Sequence, residues 1–176
     1  MLGKRNIFLI GPMGSGKTAV GKYLARVIHA PFVDSDQEVE RRTGVDIAFI
    51  FEKEGEAGFR QRERDAIESL TQMEPVVLAT GGGAILLPEN RRALASRGRV
   101  VYLETSINQQ VNRVGRGQRR PLIAGQDPRE KLTELMAHRA PLYAEIADVT
   151  VATDGCRVQS VADEILRKLG PEPPAP

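Results

Sequence analysis

The chain has 176 residues, 41% of them apolar, enough to bury the core of about one domain and too few for a two-domain enzyme of ordinary size. Its 25 Lys and Arg against 23 Asp and Glu leave a formal charge of +2, so no whole-molecule field draws it to nucleic acid or anionic lipid. The one cysteine, Cys156, excludes an internal disulfide and a multi-cysteine metal cluster.

The basic start followed by the apolar run Ile7 to Ile10 resembles an export signal only superficially, because the run is short and Gly11-Pro12 breaks it. No stretch approaches the roughly 20 apolar residues of a membrane span, and the expectation is a soluble cytoplasmic chain. Short β-branched or aromatic runs predict strands at Ile7 to Ile10, Phe32-Val33, Val76 to Ala79, Arg99 to Leu103 and Val149 to Ala152. Helices are expected over 17–29, 36–43, 46–72, 88–97, 107–115, 128–144 and 157–169. Strands separated by helices imply right-handed crossovers and an α/β fold whose parallel sheet is covered on both faces, with the ligand site beyond the carboxyl ends of the strands. The proline-rich tail, 171–176, is expected to be disordered.

The segment after the first strand is Gly11-Pro-Met-Gly14-Ser-Gly16-Lys17-Thr18, a full G-x-x-x-x-G-K-[ST] with strand before and helix after. Its glycines let successive amides turn around a phosphate, the helix start adds positive potential, Lys17 reaches the outer phosphates and Thr18 can hold Mg²⁺. After the second strand comes Asp34-Ser35-Asp36. On an extended segment the two acids are expected to face different ligands, with Asp34 on the metal side and Asp36 orienting and deprotonating a hydroxyl; the alternative is a helix N-cap at Ser35 or Asp36. After the third strand, Thr80-Gly81-Gly82-Gly83 offers either close backbone approach to a ligand or a tight turn.

Residues 91–120 hold eight arginines, no lysine and one acid, Glu104. The glycine-interrupted end of this stretch, up to Arg120-Pro121, reads as a mobile lid whose arginines close over a triphosphate, with a solvated basic loop as the alternative. An RNA-binding loop would want interleaved aromatics, which are missing. Arg60 and Arg139 stand in mixed settings in which an ordinary surface ion pair is the default. By the same default His138 is a surface helix residue and Cys156 an incidental one.

Taken together and in order, the P-loop, Asp34-Ser-Asp36, Phe59-Arg60, Gly81-Gly82-Gly83, Arg120-Pro121-Leu122 and Arg139-Ala-Pro-Leu-Tyr143 resemble the shikimate kinase family from about Asn6 to Leu169. The resemblance implies a P-loop kinase fold of the nucleoside monophosphate kinase type: a three-layer α/β/α domain over 1–170, a five-stranded parallel sheet in order 2-3-1-4-5, a substrate-binding region about 34–62 and a lid about 112–125. It implies transfer of the γ-phosphoryl of ATP to the 3-hydroxyl of shikimate, toward chorismate and the aromatic amino acids; the small size and the lack of an obvious apolar surface stripe make a monomer the default. Asp36, Arg60, Gly82, Gly83 and Arg139, with Gly81 beside them, would bind shikimate, Asp36 doubling as base. Gly14, Ser15, Gly16, Lys17, Thr18 and Ala19 would bind ATP, Thr18 would hold Mg²⁺ directly and Asp34 through water. Arg120 would meet the γ-phosphate and Arg113 pack on adenine, with Arg116 and Arg119 close to Arg120 in the lid. The chain departs from the family at Asp154-Gly-Cys-Arg157-Val158, where a proline-containing loop often closes the adenine pocket, so adenine contacts there fall to Arg157 and backbone. A gluconate kinase would need a different acceptor pocket. A guanine-specific switch would carry Asn-Lys-x-Asp, and no Asn-Lys pair occurs.

Overall fold

The computed structural model describes residues 6–114 and 121–170. Strands β1 (Ile7–Ile10), β2 (Phe32–Asp34), β3 (Val77–Ala79), β4 (Arg99–Glu104) and β5 (Val149–Ala152) form one parallel sheet in the order β2-β3-β1-β4-β5. Side chains alternate across each strand. Ile7 and Leu9 therefore face one layer, with Val20 and Leu24 of α1 (Lys17–Val27) and Val161 and Ile165 of α7 (Val158–Leu169). Phe8 and Ile10 face the other, with Ile67 of α3 (Ile47–Leu70), Leu94 of α4 (Pro88–Arg97) and Tyr143 of α6 (Pro128–Ile146). Phe8 is fully buried, and a Cβ on Gly98 would collide with its ring, so truncating it to Ala would cost about 3–5 kcal/mol. The three-layer fold and the strand order agree with the expectation.

Aspartate caps set the starts of three helices. Asp34 ends β2 and caps α2 (Ser35–Thr43), its side chain accepting from the amides of Asp36 and Gln37. Gly44, in the left-handed region at φ 72°, ends that helix. Asp46 caps α3 by accepting from Phe49 N at 2.7 Å, and Asp127 caps α6 with Pro128 in the first turn. α5 covers Ile107–Val114.

The expected helix over 46–72 is not continuous. Gly55 (φ 70°, ψ −176°) breaks α3 into two pieces. Eight residues of straight helix rise about 12 Å, yet the Phe51 and Phe59 rings lie 4.9 Å apart and Glu54 makes a two-pronged ion pair with Arg62 at 2.7 and 2.8 Å. The first piece is thus folded back on the second.

Candidate active site

β1 lies between β3 and β4, so the loop after it opens at the point where the winding of the sheet reverses. Gly11 there has φ 147°, and a Cβ on it would lie 2.7 Å from the Leu103 carbonyl, which only glycine tolerates. Gly16, also left-handed, precedes α1. Lys17 spans the loop, its Nζ donating to the carbonyls of Gly11 at 2.7 Å and Pro12 at 2.8 Å. Arg113, in the last turn of α5, donates to Gly14 O at 2.7 Å and so lies on the shoulder of the phosphate loop.

Asp34 and Asp36 diverge for a reason other than strand geometry. Residues i and i+2 of a strand face the same side; here the helix begins at Ser35, and that turn separates them. One Asp34 oxygen caps α2 and the other accepts from the Thr18 hydroxyl at 3.1 Å. The cap is Asp34, not Ser35 or Asp36, the two positions named by the capping alternative. The buried Ser35 hydroxyl instead accepts from Gly81 N at 3.0 Å. The hydroxyl and carboxylate of Thr18 and Asp34 are hard oxygen donors suited to Mg²⁺, which keeps most of its shell as water and phosphate. No group of three or more His, Cys, Asp or Glu that could hold a metal ion occurs among the described residues.

A cavity of about 770 Å³ opens beside the loop, lined among others by Asp36, Arg60, Glu63, Gly82, Gly83 and Arg139. Arg60 and Arg139 are only 8% and 3% exposed, which overturns the surface ion-pair default for both. Arg60 pairs with Glu63 at 2.8 Å and with Glu56 at 3.1 Å, and its guanidinium lies against Gly83, where a Cβ would collide with it. Burial disfavours the Arg60 charge, but Glu63 and Glu56 outweigh it and hold its pKa above the ordinary value. Arg139 makes no ion pair with a carboxylate among the described residues, and burial, aided by the nearby Arg60 charge, lowers its pKa against the opposing pull of Tyr143 and Glu56.

Asp36 Oδ1 and Glu63 Oε1 are buried acceptors without a hydrogen-bond partner. Burial, then Glu63, then Asp34 push the Asp36 pKa up to about 7, against the pull of Lys17 and Arg60. Burial likewise raises Glu63, partly offset by Arg60. An acid poised near neutrality in a cleft, with an unoccupied acceptor atom, is suited to take a proton from a hydroxyl.

Glu63 was missed in the sequence. Its signal was available: with Phe59, Ala66, Ile67 and Leu70 it falls on the buried stripe of α3, where an acid is out of place. Gly81 spends its amide on Ser35, leaving Gly82 and Gly83 as the two amides of the loop not engaged by another described residue. Pro121 and Leu122 line the cavity; Arg116, Arg119 and Arg120 lie outside the described residues. Arg157 is exposed at the start of α7. The ends of β4 and β5 beside it are joined by the hydroxyls of Thr105 and Thr153 at 2.6 Å and by Ser106 N donating to Asp154 at 3.0 Å. His138 is exposed on its helix, as expected, and Cys156 is exposed too.

A P-loop at the reversal point of a parallel sheet, facing a cavity with two acids that each leave an oxygen unpartnered and with two buried arginines, defines a kinase acting on a small anionic acceptor. The family model described as shikimate kinase matches residues 13–170, and the chain belongs to that family. A shikimate kinase from Shewanella woodyi is 55% identical over 170 residues, covering 97% of this chain and 99% of that protein. The solved shikimate kinase from Acinetobacter baumannii in complex with shikimate is 48% identical with a TM-score of 0.91, covering 93% of this chain and 92% of that one. A gluconokinase from Sinorhizobium meliloti, 17% identical with a TM-score of 0.55 over 93% of this chain and 90% of its own, shares the fold alone. No helix among the described residues is long and apolar enough to cross a membrane.

Proposed function

We propose that this chain transfers the γ-phosphoryl group of ATP to the 3-hydroxyl of shikimate, giving shikimate 3-phosphate and ADP. The observation that carries the residue assignment is the convergence of Asp36, Arg60 and Arg139 on one cavity beside the P-loop. Arg60 and Arg139 hold the acceptor carboxylate, a task suited to guanidinium forks. The amides of Gly82 and Gly83 bind the acceptor where no side chain keeps it away. Asp36 orients the attacking hydroxyl and receives its proton as the oxygen–phosphorus bond forms and the bond from the γ-phosphorus to the ADP oxygen breaks. Lys17 stabilises charge on the transferred group, and Arg120 is assigned the same task from the lid. Arg113 and Arg157 are assigned to the adenine side. Thr18 and Asp34 would hold Mg²⁺, which neutralises phosphate charge.

Little covalent chemistry is asked of the protein, because a loose transition state needs positioning and charge stabilisation above all. The test is ADP release from ATP and Mg²⁺ with and without shikimate, with gluconate and quinate as controls and the product identified. Shikimate-dependent ADP with shikimate 3-phosphate as product is expected. ADP formed equally without shikimate, or only with another acceptor, would overturn the assignments of Asp36, Arg60 and Arg139.

A further inference from the structure

Tyr143 is fully buried in the core, yet its hydroxyl donates to the carbonyl of Gly82. Its ring is stacked on Tyr102 with centroids 5.0 Å apart, so the direction of the hydroxyl is fixed by packing. Burial raises its pKa, which keeps it a neutral donor across the working range. Gly82 C=O and Gly83 N–H belong to one planar trans peptide and point opposite ways. A donor that pins the carbonyl on the core side therefore aims the Gly83 N–H away from the core. That amide is engaged by no other described residue, and Gly83 lines the acceptor cavity.

We infer that Tyr143 is a positioning residue for acceptor binding, acting through the Gly82–Gly83 peptide. Arg139, one helical turn earlier on α6, shares the arrangement: its guanidinium also interacts with the Tyr143 hydroxyl, and a Cβ on Gly82 would stand 3.4 Å from Arg139 Nη1, so the hydroxyl holds both the carboxylate-binding cation and the anchor of the amide. Without the hydroxyl, glycine's freedom lets the peptide turn over, and acceptor binding must then fix it.

The inference rests on the assignment of Gly83 to the acceptor, and the experiment separates the two. Steady-state kinetics are compared for wild type, Tyr143→Phe, which keeps the ring, and Tyr102→Phe, which removes the hydroxyl of the stacked neighbour. Tyr143→Phe is expected to raise KM for shikimate roughly three- to tenfold, the scale of one net hydrogen bond, with KM for ATP unchanged. Tyr102→Phe should leave both at the wild-type value. If Tyr143→Phe lowers only the melting temperature and leaves KM for shikimate unchanged, Tyr143 is merely structural and the inference fails alone. If the wild type shows no shikimate-dependent turnover, the acceptor assignment fails and carries this inference with it. Should Tyr143→Phe not fold, the Gly83 amide resonance of the wild type decides: it should shift on adding shikimate, and a stationary resonance overturns the proposal.

Discussion

Asp36 and Glu63 turn their unpartnered oxygens toward one spot beside Gly81: a Cβ placed there would lie 2.6 Å from Asp36 Oδ1 and 2.7 Å from Glu63 Oε1. Two buried acids in such proximity disfavour double ionisation, and the consequence is legible in both activity and stability.

The first consequence is a gain in stability on loss of function. Asp36 has a folded pKa of about 7 against 3.8 for the free side chain, so above pH 7 the folded protein carries a charge that the unfolded chain holds more cheaply. Asp36→Asn is expected to melt a few degrees higher than wild type at pH 8 without ligands, the advantage shrinking as pH falls toward 4. Its kcat should drop at least about a hundredfold. Thermal melts at pH 8 and 5 check this; a lower melting temperature at pH 8 would show that the acids do not strain each other.

The second consequence is a pH limb that a neighbour sets. Wild-type kcat/KM should fall as pH drops through the Asp36 pKa, because the protonated acid cannot receive the hydroxyl proton. Glu63 is the second-largest cause of that raised pKa, after burial. Glu63→Gln should therefore move the limb to lower pH, while KM for shikimate rises as Arg60 loses an ion pair. A limb that stays in place would exclude Glu63 from tuning the base.

Asp34 divides its two oxygens between helix cap and Thr18, and two substitutions separate these duties. Asp34→Ser keeps a capping oxygen and should hold the melting temperature near wild type while raising the Mg²⁺ concentration needed for half-maximal rate. Asp34→Ala should show the same Mg²⁺ defect plus the loss of about 1 kcal/mol of cap energy. Equal melting temperatures for the two would remove the cap from the account.

Gly83 tests the close approach of Arg60. Its φ of −96° suits any residue, so Gly83→Ala strains nothing in the backbone, but the new methyl would meet a guanidinium anchored by Glu56 and Glu63. KM for shikimate should rise about tenfold or more, the scale of one displaced charged hydrogen bond, while KM for ATP stays within about twofold. Comparable losses for both substrates would mean that the loop as a whole has moved.

The strands and the phosphate loop were readable because they depend on local pattern: Ile7 to Ile10 is an apolar run stopped by Gly11, and the glycine spacing that follows has few other uses. Arg60 and Arg139 were beyond periodicity alone, since nothing local distinguishes a buried guanidinium from a solvated one; the family resemblance singled them out. Glu63 could have been found as an acid on the buried stripe of α3, whereas the role of Tyr143 was out of reach because its partner, the Gly82 carbonyl, arrives from distant chain. The break at Gly55 escaped because glycine inside a helical pattern is ordinarily tolerated.

That break has a bearing on how the protein can change. Phe51 against Phe59 and Glu54 against Arg62 close the fold-back entirely within one stretch of chain, without calling on the sheet. Ile47, Ala48 and Phe51, which wall the acceptor cavity, thus belong to a self-buttressed flap, while phosphate handling belongs to the loop after β1. One wall of the cavity is thus carried by a short length of chain that neither the phosphate loop nor the buried arginines occupy, so its shape can be altered at Ile47, Ala48 and Phe51 without rewriting the residues that handle phosphate.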